Sequence, residues 1–203
     1  MPLTYTILIG DKSEAGSIKS WQNYSKVDAA GVVMDAEAMI ATRLRVREMR
    51  ASETMPIAVG ASGTDLPDGF LDPISLRDVT NDCDIEIKGE DELERIRSWT
   101  AAVLDSGDPS YYAIFDERFE FDCKTTTAWT ARALFYKTPD ALSSSNPRNF
   151  LTDRYPQVLR MACLAIAARY SSDDERFARE QRLLFAEIEE INIRDEQSRR
   201  GQV

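Results

Sequence analysis

The chain has 203 residues, 43% hydrophobic and 30% charged, with 25 Lys and Arg against 35 Asp and Glu for a formal net charge of −10. It contains no histidine, which removes the commonest general base and the commonest transition-metal ligand, and with them Ser-His-Asp and Cys-His catalysis. The acidic balance argues against a nucleic-acid grip, and the lack of a long uncharged apolar run predicts a soluble chain without membrane span or signal peptide.

The length allows one domain, or one with a modest subdomain. Cys83, Cys123 and Cys163 are odd in number, far apart and outside any C-x-x-C spacing, which predicts buried thiols in a reducing compartment. There is no G-x-x-x-x-G-K-[ST], no G-x-G-x-x-G and no EF-hand loop, so phosphate-cradling and calcium-binding patterns are missing. Paired carboxylates remain the one catalytic option, and nothing singles out a pair. The expectation is a protein that is not an enzyme, with no cofactor and no metal. Charge is uneven: residues 51–110 carry 4 basic and 14 acidic side chains, whereas the other segments are close to neutral.

In chain order, Val33, Ala36, Ile40 and Leu44 recur at three and four from about residue 27, with Asp28 as candidate N-cap, and predict a helix over 27–50. Its end, "RLRVREMR", also alternates as a strand would, but Ala, Met, Glu and Arg favour helix. On a helix Arg43, Arg47 and Arg50 share a face and Arg45 lies to one side. Three readings stay open for them: a DNA grip, a solvated face, or an interface in which guanidinium forks meet carboxylates of a neighbour.

The segment 51–110 holds Pro56, Pro67, Pro73 and Pro109, which speaks against continued helix. "TMPIAV" and "DCDIEIK" read as strands, and "DELERIRSW" as a short helix. "YYAIF" and "FEFDC" flank Asp116, Glu117 and Arg118 as a hairpin, and Trp129, Ala131, Ala133 and Phe135 alternate along a further strand. The aromatic residues Trp21, Tyr24, Tyr111, Tyr112, Trp129, Phe135 and Tyr136 read as core in preference to stacking platforms. The acids Asp65, Asp68, Asp82, Glu90 and Asp91 read as solvated loop charges or as the lining of an acidic surface.

Pro156 suits the first turn of a helix running to Tyr170, apolar nearly all round and hence central. Ser172 and Glu175 have capping-box spacing for a following helix to about Ser198, with Phe177, Leu184, Ile188 and Ile191 on one stripe. The charged ending "RDEQSRRGQV" reads as a frayed tail or one ordered by a partner. The expected fold class is α+β: an α-helical bundle formed by 1–50 and 150–203, with a small antiparallel β domain inserted over 51–149.

The order of "AEAMIATRLRVREMRASETM", "LPDGFLDPISLR", "PSYYAIFDERFEFD" and "LFYKTPDALSSSNPRNFLTDRYPQVLRMACLAIAARYSSDDERF" resembles the head-to-tail adaptor, or connector, proteins of short-tailed bacteriophages over most of the chain. The resemblance implies a structural virion protein at the head–tail junction, present in the host cytoplasm during assembly. Its copies would form a twelve-fold ring joining the portal protein to the tail nozzle or tail tube protein. Double-stranded DNA would pass through at ejection without sequence-specific binding and without membrane contact. By region, the C-terminal helix and tail would meet the portal and the β part the tail. Arg43, Arg47, Arg50, Arg194, Arg199 and Arg200 are the interface candidates. The competing readings are a generic helical protein–protein interaction module and, further off, a carboxylate-dependent enzyme.

Overall fold

The computed structural model describes residues 3–21, 24, 26–100 and 106–201. In chain order they form α1 (Tyr5–Ile9), a 3-10 turn (Ile18–Ser20), α2 (Ala29–Ala41), a second 3-10 turn (Arg47–Met49), β1 (Arg50–Ile57), β2 (Gly63–Asp65), β3 (Phe70–Asp78), β4 (Cys83–Ile87), α3 (Glu90–Thr100), β5 (Ser106–Gly107), β6 (Tyr111–Phe115), β7 (Arg118–Phe121), β8 (Lys124–Thr125), β9 (Trp129–Lys137), α4 (Phe150–Arg154), α5 (Pro156–Tyr170) and α6 (Asp174–Arg200). Two compact units result, residues 1–49 with 139–203, and residues 50–138. No described helix is long and apolar enough to cross a membrane.

In the helical unit α5 is the hub, packing against α2, α4 and α6. Ala162, Ala165, Ala167 and Ala168 are buried along it beside Val158, Leu159 and Ile166, and their small side chains let neighbouring backbones approach closely. Asp28 caps α2, accepting from Ala30 N at 3.2 Å. The helix expected over 27–50 stops at Ala41. Beyond it Asn192 of α6 clasps the backbone, its Oδ1 accepting from Arg45 N at 2.8 Å and its Nδ2 donating to Arg43 O at 2.9 Å. Leu44 and Val46 are fully buried between more exposed arginines, so the strand-like alternation of "RLRVR" prevails over helix propensity. The cap of α6 is displaced by one residue. Asp173 accepts from Arg176 N at 3.1 Å, and Ser172 takes φ 55° in the preceding turn.

The expectation of a helical bundle with a small antiparallel insertion is corrected: the chain is mixed α/β with a large, nearly closed seven-stranded sheet. Its order is β1-β9-β3-β4-β6-β7-β2, and the edge strands β1 and β2 run beside each other. The pair β4–β6 is parallel. The strand that enlarges the sheet is β3, whose Pro73 and preceding Gly69 read locally as loop. Gly69 takes φ 72° at the turn before it, and Pro73 sits at a register shift against β9, the positions a strand can give these residues. The inner faces of the sheet pool Met55, Ile57, Leu76, Ile85, Tyr112, Phe119, Phe121, Trp129 and Phe135 into one core. Asp116 and Glu117, with φ 46° and 63°, make the two-residue turn between β6 and β7, as a primed hairpin requires.

Candidate interaction surfaces

Each candidate arginine is in contact with its own chain. In the helical unit the meeting point is Asp195, one turn beyond Ile191 on the inward stripe of α6. Its side chain is 7% exposed, accepts from Arg47 Nε at 2.8 Å and forms an ion pair with Arg199 at 3.1 Å, while Arg199 Nε donates to the Asp195 backbone O at 3.4 Å. Arg47 also donates to Ser198 Oγ at 2.9 Å. The carboxylate keeps the Arg47 guanidinium protonated above its ordinary range, through the hydrogen bond first and the charge second. Beside it Glu48 pairs with Arg154.

Arg43 stacks over the Phe185 ring at 4.2 Å, where cation–π attraction and α6 packing act together. Arg194 and Arg200 pair with Glu190 and Glu196 one turn back, the latter at 2.5 Å, exposed contacts of small worth. Arg50 lies outside this set: it opens β1 and points over the Tyr136 ring at 6.0 Å. The single helical face expected to hold Arg43, Arg47 and Arg50 does not form. Asp195 was missed, although a carboxylate falling at the 184–188–191–195 spacing of an apolar stripe is the signal that finds it.

A second polar centre, also missed, is buried Glu37 on α2. Its carboxylate accepts from Leu142 N at 3.1 Å and from Asn149 Nδ2 at 2.8 Å. Asn149 in turn caps α4 through a capping box with Thr152. Burial pushes the Glu37 pKa up, against the pull of those two hydrogen bonds. Glu37 thus ties the segment after residue 139 to α2.

In the sheet unit the acids Asp65, Asp68, Asp82, Glu90 and Asp91 are all exposed. Among the described residues no cluster of three or more Cys, Asp or Glu could hold a metal ion. A groove of about 390 Å³ opens between α3 and β6–β7, lined by Glu90, Asp91, Glu94 and Glu120 together with Leu93 and Phe115. Arg97 closes one side, donating to Glu94 and Glu120 at 2.9 Å each and to Phe121 O. Phe115 is 56% exposed and Trp99, on α3, 84%. Large apolar groups left in water beside carboxylates are what a contact surface presents.

The expectation that the thiols are buried holds only for Cys163; Cys83 is exposed and Cys123 half-buried, and all three are free.

A family model described as SU10 adaptor protein matches residues 8–203. No curated protein matches the chain.

Proposed function

The chain belongs to the SU10 adaptor protein family, structural adaptors of bacteriophage virions, and from that premise we propose that it forms the ring joining portal to tail nozzle. In this reading twelve copies assemble beneath the portal, line part of the DNA conduit and act by contact, with no chemical step. The family match over residues 8–203 carries it. Charge adds support: residues 50–138 hold eighteen acidic and nine basic side chains, and an acidic wall lets a polyanion slide where cationic contacts would hold it. The arginines of the helical unit, pinned at known geometry, would meet the portal through the open end of α6.

The test mixes the purified chain with the portal encoded beside it and reads mass by native mass spectrometry, with negative-stain images of the product. One adaptor copy per portal copy in a closed ring is the expected result. No binding to a correctly assembled portal would transfer the reading to a protein–protein interaction module acting elsewhere.

A further inference from the structure

On the outer face of the sheet, Arg132 of β9 lies between Thr54 of β1 and Arg77 of β3. Like charges directly opposite each other across a ladder are unfavourable. Arg77 is compensated, by Asp82 at 2.6 Å and Asp84 at 3.3 Å. Arg132 is not: its Nε donates to Ser52 Oγ at 3.1 Å, and no carboxylate pairs with it among the described residues. Arg50, on the same outward set of β1, has the Tyr136 ring and no carboxylate either. A chain with 35 acidic side chains thus leaves Arg132 and Arg50 exposed on one wall without a carboxylate partner among the described residues.

The opposite charge sits on the opposite wall. In the order β1-β9-β3-β4-β6-β7-β2, nearly closed on itself, the strands farthest from β9 in either direction are β6 and β7. Their outward residues include Ala113, Phe115, Arg118 and Glu120, and α3 lies beside them to form the groove. Arg118 pairs with Asp65 and Glu120, and Arg97 with Glu94 and Glu120, which leaves Glu90 and Asp91 as the groove carboxylates open to a newcomer. The groove combines carboxylates from the first turn of α3, Glu90 and Asp91, with the exposed Phe115 ring. Carboxylates beside an aromatic face are a receptor for guanidinium, which pairs with the one and stacks on the other.

We infer that residues 50–138 of neighbouring copies join head to tail, Arg132 of one copy entering the Glu90–Asp91–Phe115 groove of the next. Two different patches on opposite walls make a heterologous contact, the kind that closes a ring when the rotation between copies divides a full turn. The inference rests on the adaptor-ring reading and deepens it by naming the surfaces. Because unit 50–138 is strongly acidic, copies repel at long range, and a local Arg–carboxylate contact supplies the register.

The test compares wild type, Arg132→Glu, Glu90→Arg and the double reversal as full chains, alone at rising concentration and on the portal, by native mass spectrometry and sedimentation velocity. Each single reversal should weaken association of copies at least tenfold, and the double reversal should restore it. Arg132→Glu puts a carboxylate opposite Arg77, so its melting temperature should hold or rise while association falls, which a merely structural role would not produce. Copies that associate undiminished in both single variants, or a double reversal that fails to recover, would overturn the pairing and leave the adaptor ring standing. Wild-type copies that associate neither alone nor on the portal would remove this contact and the ring together.

Discussion

Arg47 Nε donates to Asp195 Oδ1 at 2.8 Å across 148 residues of sequence, tying the extended segment after α2 to the far end of α6. The contact is inside the helical unit, and the inward member of the pair is the acid, with 7% of its side chain exposed against 41% for the arginine. That asymmetry decides which substitution costs more.

Asp195→Ala removes the hydrogen-bond acceptor of Arg47 and the ion-pair partner of Arg199, and should destabilise the chain by about 1–3 kcal/mol. Arg47→Ala should cost less, and in the Asp195→Ala background it should add little, because its partner is already gone. Urea unfolding of the four proteins of the cycle gives the coupling. Additive losses would show that the pair does not act as a unit.

Deleting residues 194–203 takes Asp195 and Ser198 with the tail and so strips Arg47 of both partners. It should lower the melting temperature as well as any portal binding. Deleting residues 201–203 leaves α6 intact to Arg200 and should leave the melting temperature unchanged. Thermal melts of both truncations, followed by portal pull-down, separate loss of fold from loss of a docking tail.

Glu37 has a raised pKa in the folded chain because it is buried. The native state then binds its proton more tightly than the unfolded state, so the contribution to stability is full below the unfolded carboxylate range and is lost as pH rises through the raised value. Against a Glu37→Gln variant, wild type should therefore lose relative stability between mildly acidic and neutral pH. Denaturant midpoints of both proteins at several pH values read the difference. A gap that is flat with pH, or that widens in favour of wild type toward neutrality, would contradict the burial of this carboxyl.

The three thiols should label in a fixed order. Cys83 is exposed and should react first with a thiol reagent at pH 8; Cys123, pushed up to about 11 by burial, should follow slowly. Cys163, fully buried, has its thiol raised well beyond the ordinary range by burial first and should label only through opening of the helical unit. Mass spectrometry of time points with peptide mapping assigns each step. Equal rates for Cys83 and Cys163 would contradict the packing of α5.

Local signals told the truth wherever one force dominated. Pro156 opens α5 and Tyr170 ends it, as ring geometry and an all-round apolar surface dictate. Trp129, Ala131, Ala133 and Phe135 turn inward on β9, as strict alternation demands. The reading failed where tertiary partners outvoted propensity. Asn192, far along the chain, takes the backbone bonds that would have continued α2 past Ala41. β3 was missed because Pro and Gly mark loops locally, whereas a bulge and a turn accommodate them here. Arg194, Arg199 and Arg200 meet carboxylates four residues back on α6, a spacing open to a local reading, whereas the Asp195 partner of Arg47 and the Phe185 and Tyr136 rings beside Arg43 and Arg50 lie far along the chain. The groove was invisible for the same reason, since α3 and β6–β7 supply its two sides.

The first residue of β1 stands opposite the penultimate residue of β9, Arg50 against Tyr136, and these are nearly the first and last residues of the unit 50–138. A segment whose entry and exit lie side by side behaves as a cassette. Its removal leaves a gap that a tight turn can bridge, and its two ends can be fused and reopened elsewhere without unpicking the ladder. Lineages carrying this chain could exchange the whole sheet unit as one block while the helical unit stays as it is.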